Sequence, residues 1–326
     1  MTKNKAQNFL RVEVPKYVLI VACFIAVIVF SSLQPKFLKS ANIMSLLTTA
    51  SISGMMAFAA MLPFACGEVN FAVSSSASLA ATVVGLLAGK SMGYIPAVIC
   101  GIICGTLVGL VTSFLSFKLN VPSLIASLGA AKLFDGLVTK LADNKTILSN
   151  LWPESFTFLG QGKILGISVA LITLLIFSFI MIVMTDKTRF GRHIFAIGAN
   201  KTACRQSGIN LKLTKTLTFV VSSALAGLSG IMLASQVGQV TLLSGNSLMM
   251  NAIAAAMLGA TCIRPGRYSI QGTLVAIMLM SILQNGVICI GAPTQWRTLI
   301  QGIVFIFAVG FISLTRKGGL PAVSMT

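Results

Sequence analysis

Acidic residues are scarce in this sequence, which has six Asp and Glu but 24 Lys and Arg among its 326 residues. Charged residues of both signs make up 9% of the chain, whereas a soluble domain carries about 25%. A soluble fold could not hide the 56% of residues that are hydrophobic, so the chain is predicted to lie in a lipid bilayer. The net charge of +18 does not indicate a nucleic-acid partner, because the basic residues are scattered among hydrophobic runs and form no basic stripe.

The residues that usually carry catalysis are also few. The only histidine is His193, and the sequence contains no HExxH, no GxSxG and no Cys/His cluster. The seven cysteines lie mostly inside apolar runs and are interpreted as small packing residues. A phosphate-binding loop is missing as well. The sequence therefore predicts no catalytic residue, no metal site and no cofactor bound by this chain, so a partner would have to bind any ATP and Mg²⁺.

Long apolar runs dominate what is present. Ten runs, separated by polar or Gly/Pro breaks, approach the length of about 20 residues that a membrane-spanning helix needs. The predicted fold is an all-α polytopic membrane bundle of about ten spans, formed by one domain over residues 1–326, with an uncleaved first span. The third and eighth runs are short and polar. The runs cover residues 17–33, 43–65, 71–88, 94–117, 122–142, 164–184, 214–237, 248–262, 270–290 and 296–314.

The basic residues predict an orientation. With the N-terminus inside, sixteen Lys and Arg fall in the inner segments and seven in the outer ones, and Lys132 lies within a span. Inner loops of membrane proteins carry the excess of Lys and Arg, so the N-terminus and the C-terminus are both predicted to be cytoplasmic. Residues 143–163 then form an external loop and residues 186–213 a cytoplasmic one.

Two stripes of small residues predict close packing of helices, since small side chains let helix backbones approach each other in a membrane. One stripe lies in the fourth run and the other in the eighth. Their members are Gly101, Gly105 and Gly109, and Ala252, Ala256 and Ala260.

Charged residues inside the predicted spans are few, and each is therefore informative. Lys132 and Asp135 lie three residues apart on one helix face, which suits either a structural ion pair or a site for a substrate or a proton. Glu68 and Asn70 occupy the break between the second and third runs, just before a serine-rich stretch. This break forms either the wall of a polar cavity or a plain loop with a helix cap.

The 186–213 segment carries six Lys and Arg and the only histidine. Asn200 is a good first cap and Gly208 a good stop signal, so residues 201–207 are predicted to form a short helix of about two turns outside the membrane. Such a helix would suit docking into a groove of a partner. The alternative is a solvated basic loop near anionic lipid.

The same segment resembles the permeases of bacterial ribose, arabinose, xylose and galactose-type ATP-binding-cassette importers. Their TR[FL]GRx[IL]xA[IL]GxNxxAARxSGI pattern is matched here by TRFGRHIFAIGANKTACRQSGI, from Thr188 to Ile209. Further similar stretches are VPSLIASLGA from Val121, AGLSG from Ala226, AIAAAMLGAT from Ala252, and the Asn285–Gly286 pair. The resemblance covers most of the chain from about residue 40 onward.

The resemblance implies a transport subunit, not an enzyme, in the bacterial inner membrane. Such permeases pair with a second copy or a paralogue, receive a sugar from a periplasmic binding protein, and dock a cytoplasmic ATPase that usually has two fused cassettes. They translocate a monosaccharide or sugar-like solute by alternating access. The residues implied in ATPase coupling are Arg189, Gly191, Arg192, Asn200, Ala203, Arg205, Ser207 and Gly208, and the candidate translocation residues are Glu68, Asn70, Ser74, Ser75 and Asn285.

Two departures from the family bear on this expectation. The family commonly has GGIDLSVGS where this chain has GEVNFAVSS from Gly67, so the carboxylate stands in the second place instead of the fourth. Asp135 stands where relatives often carry Arg. The alternative function is a secondary transporter driven by an ion gradient, which would need intramembrane carboxylates as relays and has only Glu68 and Asp135. A membrane enzyme is disfavoured by the missing catalytic set.

Overall fold

The chain folds into a bundle of α-helices. The computed structural model describes residues 2–89, 93–148, 152, 154–264, 266–293, 295–303 and 306, with the backbone alone for residues 2–16, 154 and 155. The helices in these ranges are α1 (Thr2–Leu33), α2 (Ser40–Ala65), α3 (Val73–Gly89), α4 (Tyr94–Ser113), α5 (Ser123–Leu141), α6 (Glu154–Gln161), α7 (Val169–Lys187), α8 (Arg189–Ala199), α9 (Lys201–Gln206), α10 (Leu211–Val237), α11 (Gly245–Gly259) and α12 (Ile270–Cys289). Residues 295–303 are also helical.

The remaining regular structure is short. A 3₁₀ turn covers Pro35–Leu38, and a π-helical turn, Phe114–Lys118, extends α4. Four strands of two residues form two antiparallel pairs, in which β1 (Ile147–Leu148) pairs with β4 (Gln239–Val240), and β2 (Lys163–Ile164) with β3 (Ile167–Ser168).

The helices agree with the apolar runs. Nine of the ten predicted runs correspond to α1–α5, α7 and α10–α12. Among the described residues, α2, α4 with its π-helical turn, α7, α10 and α12 are long and apolar enough to cross a membrane, and Tyr17–Leu33 and Val73–Gly89 are shorter apolar helices. The predicted all-α membrane bundle is confirmed. The tenth run, 296–314, is helical as far as residue 303, and most of the rest of it lies outside the described residues.

Two helices form the centre of the bundle. α2 is buried from Ala50 to its end at Ala65, and residues 55–59 have no measurable exposure. α10 contacts α2, α3 and α4 along most of its length. By contrast, α4 and α7 expose apolar side chains such as Ile103 and Phe179 on their outer faces. A helix that exposes large apolar side chains on one face is stable when that face meets lipid.

The two stripes of small residues pack as predicted. A Cβ added to Gly105 would lie 3.2 Å from the Cα of Gly227 on α10, and one added to Gly109 would lie 2.7 Å from the Oγ of Ser223. The alanine stripe on α11 is also fully buried. α4 and α10 therefore approach each other so closely that neither position could carry a side chain without moving a helix.

The connecting segments are sorted between the two ends of the bundle. One end, called here the basic end, holds residues 66–72, 118–123, 186–213, 260–264 and 266–269, which contact one another. Examples are the hydrogen bond from Val69 N to Ser123 Oγ (3.3 Å) and the ion pair between Arg264 and Asp186 (3.3 Å). The opposite end holds the β1–β4 pair. The connecting segments thus alternate between the two ends of the bundle, as successive antiparallel spans require.

Candidate functional site

The basic end carries a helix that sequence analysis missed. α8 is capped by Thr188, whose hydroxyl accepts a hydrogen bond from Gly191 N (3.2 Å), and it packs Ile194 and Ile197 into the core with no exposure. A Cβ added to Gly198 would collide with the carbonyl oxygen of Ala65 at the end of α2. The spacing of Ile194 and Ile197 was the available signal, since apolar residues three apart define one face of a helix.

α9 follows α8 directly and confirms the predicted short helix. Asn200 Oδ1 accepts a hydrogen bond from Ala203 N (2.9 Å), and Gly208 has a positive φ of 77° after the last turn. The helix ends at Gln206, one residue before the predicted end. In α9 Cys204 is the one buried side chain, and the residues from Thr202 to Gln206 are otherwise exposed.

The residues implied in ATPase coupling lie together on this surface. All of them are exposed except Gly191, which has no room for a side chain against the backbone of Met184 and Thr185. No acidic side chain lies in α8 or α9. The exposed members are Arg189, Arg192, Asn200, Ala203, Arg205, Ser207 and Gly208. Three exposed arginines without a carboxylate on their own helices give a surface that would attract an acidic partner.

Glu68 ties this surface to the membrane helices. Its Oε1 lies 2.6 Å from Lys215 Nζ at the start of α10 and 3.1 Å from Lys201 Nζ at the start of α9. Burial raises the pKa of Glu68, but the two ammonium groups outweigh it and hold the pKa below its ordinary value. The carboxylate is therefore charged, and it joins the α2–α3 break to both α9 and α10.

These lysine partners were not predicted, because they stand more than a hundred positions away in the sequence. A cavity of about 310 Å³ lies beside them and is lined in part by Ser123 and Lys212. The need for charge compensation was the available signal, since a buried carboxylate usually has a cation near it.

Asn70 and Ser74 shape the start of α3. Asn70 is buried, and its Oδ1 accepts a hydrogen bond from Ala72 N (3.1 Å). Ser74 Oγ donates to the carbonyl oxygen of Phe71 (3.1 Å). The Nδ2 atom of Asn70 has no hydrogen-bond partner among the described residues. The hydrogen bonds of Asn70 Oδ1 and of Ser74 Oγ are those of a helix cap. They leave the buried Nδ2 group of Asn70 available as a donor to a further partner.

Ser75 joins α3 to α5 by hydrogen bonds. Its Oγ lies 2.6 Å from Asp135 Oδ1 and 3.0 Å from the carbonyl oxygen of Ala131. Asp135 also forms the predicted ion pair with Lys132, whose Nζ lies 4.0 Å from Asp135 Oδ2. The Lys132 side chain is 83% exposed and that of Asp135 is 10% exposed. The close hydrogen bond of Asp135 is therefore the one to Ser75, and the ion pair with Lys132 is loose.

Asn285 lies apart from the other candidate translocation residues. It forms two hydrogen bonds with Asn42, of 2.9 and 3.0 Å, and thereby joins α12 to α2 near the opposite end of the bundle. Glu68 and Asn70 lie at the basic end, and Ser75 is in the first turn of α3. The five candidates therefore occupy two separate regions of the fold.

No group of three or more His, Cys, Asp or Glu side chains that could hold a metal occurs in the part of the chain that the structure describes. The described residues form a membrane bundle with an exposed, basic, capped helix pair at one end. The chain belongs to the family described as "Branched-chain amino acid transport system / permease component", which matches residues 42–309.

Several curated relatives extend over most of the chain. The ribose import permease protein RbsC of Bacillus subtilis is 33% identical over 88% of this chain and 89% of its own length. The probable ABC transporter permease protein YphD of Escherichia coli is 30% identical over 92% and 90%. The autoinducer 2 import system permease protein LsrC of Photorhabdus luminescens is 26% identical over 81% and 79%. No solved structure is significantly similar to the chain.

Proposed function

We propose that this chain is the membrane-spanning permease of an ATP-binding-cassette importer that carries a monosaccharide or a sugar-like solute. The observation that carries the proposal is the pair α8 and α9, which is fixed on its inner face and basic on its outer face. The names of the relatives support the solute class, since they include a ribose import permease and an autoinducer 2 import permease.

The proposed importer has three kinds of partner. A cytoplasmic ATPase with two nucleotide-binding cassettes docks on α8 and α9 and binds the ATP and Mg²⁺. A periplasmic binding protein delivers the solute to the opposite end of the bundle. A second permease chain, which is a copy or a paralogue, completes the translocation pathway, and lipid surrounds the pair.

The proposed orientation places the basic end in the cytoplasm of a bacterium, with both termini inside and about ten spans through the inner membrane. The distribution of Lys and Arg supports it, and so does the assembly of the basic connecting segments at one end of the bundle. The candidate translocation residues Glu68, Asn70, Ser74, Ser75 and Asn285 stay a prediction within this scheme.

An ion-driven secondary transporter is the alternative function. It would need carboxylates that take up and release protons or sodium within the membrane. Glu68 is engaged by two ammonium groups and is kept charged, which does not suit a proton relay. Asp135 is then the only candidate relay that sequence analysis leaves.

The test is purification of the tagged permease in detergent from its native host, followed by identification of the accompanying chains by mass spectrometry. Recovery of a two-cassette ATPase, and ATP-dependent solute uptake in proteoliposomes, would support the importer. Recovery of the permease alone, active with an ion gradient, would refute it.

A pair of variants localises the docking surface. Arg205→Glu reverses a charge on the exposed side of α9 and is expected to reduce recovery of the ATPase strongly. The matched control is Lys118→Glu, which makes the same change of charge at an exposed position of the basic end outside α8 and α9. Equal recovery of the ATPase with both variants would place its docking site elsewhere.

A further inference from the structure

α5 connects the two ends of the bundle. Ser123 at its start accepts the hydrogen bond from Val69 at the basic end, and soon after its last turn the chain forms β1 at the opposite end. Its 19 residues extend about 28 Å at 1.5 Å each, close to the roughly 30 Å of the hydrocarbon core. Lys132 is the tenth of these residues and therefore lies near the middle of the membrane.

Lipid is an unsuitable neighbour for this lysine. Its side chain is 83% exposed, and among the described residues its carboxylate neighbour is Asp135, at 4.0 Å. A lysine near a helix end can extend its ammonium to the lipid headgroups, but from the middle of the membrane they are roughly 15 Å away. Charged residues within membrane helices face a protein neighbour or a water-filled cavity.

Two glycines on the same face give an independent indication. Gly129 and Gly136 lie three residues before and four residues after Lys132, so all three share one side of α5. A Cβ added at either glycine would meet no atom within 4 Å, in contrast to Gly109, where it would collide with α10. Packing within the described chain therefore does not require these glycines, although glycine weakens a helix. Glycine suits a position where a solute passes close to the helix backbone.

We infer that the face of α5 formed by Gly129, Lys132 and Gly136 lines the water-filled translocation pathway of the proposed importer, and that the Lys132 ammonium donates hydrogen bonds to oxygen atoms of the passing solute. The inference rests on the proposed function. A soluble ATPase or binding protein does not reach the middle of the membrane, so the second permease chain of the proposed assembly is the neighbour across this pathway. Lysine offers three donors and no acceptor, which suits hydroxyl or anionic oxygens of a solute.

Labelling with a membrane-impermeant thiol reagent tests the aqueous environment. Lys132→Cys, in the importer assembled with its ATPase in proteoliposomes, is expected to react well above the background of the seven native cysteines. Phe179→Cys is the matched control, because Phe179 lies at similar depth in α7 and is 71% exposed on an apolar face. Reaction of Lys132→Cys no faster than that of Phe179→Cys would overturn the inference.

Transport kinetics test the contact with solute. Lys132→Met keeps most of the length of the side chain and removes the charge, and it is expected to raise the KM of transport about tenfold, with partial recovery in Lys132→Arg. Gly136→Leu has free space within the chain and should assemble normally but block transport. Normal transport by both Lys132→Met and Gly136→Leu would overturn the inference.

Failure of this inference is distinguishable from failure of the proposed function. If ATP drives uptake while position 132 stays unlabelled, the importer stands and the pathway lies elsewhere.

Discussion

The ion network around Glu68 makes a quantitative prediction for Glu68→Gln, a substitution that keeps the shape of the side chain and removes its charge. Glu68 and Lys215 are 7% and 14% exposed, and their charged atoms are 2.6 Å apart. At an effective dielectric constant of about 20, this separation corresponds to roughly 6 kcal/mol of attraction. Removal of one partner of a buried pair usually costs about 3–5 kcal/mol, because the other charge stays buried and uncompensated.

The second lysine contributes less. The Lys201 side chain is 35% exposed and its ammonium is 3.1 Å from the carboxylate, so solvent reduces its share to about 1 kcal/mol or below. Lys215→Met is therefore expected to destabilise the bundle much more than Lys201→Met. Because Lys201 belongs to α9, its substitution should instead weaken the coupling of ATP hydrolysis to transport.

The assay is the melting temperature of the detergent-solubilised permease, followed by fluorescence-detected size-exclusion chromatography after heating. Glu68→Gln is expected to lower the melting temperature by about 10 °C. Asp143→Asn is the matched control, since Asp143 is 91% exposed and its pair with Lys145 spans 3.6 Å. Equal melting temperatures for Glu68→Gln and the unchanged chain would refute the argument that this buried network stabilises the fold.

Three further substitutions or conditions follow from the geometry of the basic end. Gly198→Leu should displace α8 from α2, because a side chain there collides with the Ala65 carbonyl, and accelerated proteolysis between α7 and α9 would report it. Asn200→Ala removes the cap on Ala203 N and should cost about 1 kcal/mol of local helix stability, measured as faster amide exchange in α9, while unchanged exchange would contradict the capping role. Since the pKa of Glu68 is lowered, its contribution to stability is complete above its ordinary pKa of 4.5 and is lost as the pH falls through the lower value of the folded state. The difference in melting temperature between the unchanged chain and Glu68→Gln should thus be constant from about pH 7 to about pH 5 and shrink only under more acidic conditions.

Local signals in the sequence predicted the local structure well. Apolar runs located the spanning helices, and Asn200 and Gly208 located α9 to within one residue. Both signals act over a few neighbouring positions, through the length of an apolar helix and the hydrogen bonds at its ends. The stripe of Gly101, Gly105 and Gly109 similarly predicted a close helix contact without naming α10 as its partner.

Contacts between distant segments were outside the reach of the same signals. Glu68 was interpreted as a pathway residue from its place in a polar break, and its ion pairs with Lys201 and Lys215 depend on how α9 and α10 return to the end of α2. The pairing of Asn285 with Asn42 has the same origin. Patterns in a single sequence indicate which side chains need partners, but the tertiary fold determines which residues those partners are.

The anchoring of α9 through Cys204 and Lys201 separates two demands on one short helix. Fold stability depends on the side facing the bundle, where Cys204 packs into the core cluster and Lys201 pairs with Glu68. In the proposed importer, recognition of the ATPase depends on the exposed positions around them. Substitutions at exposed positions of a helix usually change stability by no more than about 0.5 kcal/mol. In that assembly a handful of surface changes in α9 suffices to change the motor subunit, and grafting those exposed residues from a related permease should transfer partner choice while the membrane bundle stays intact.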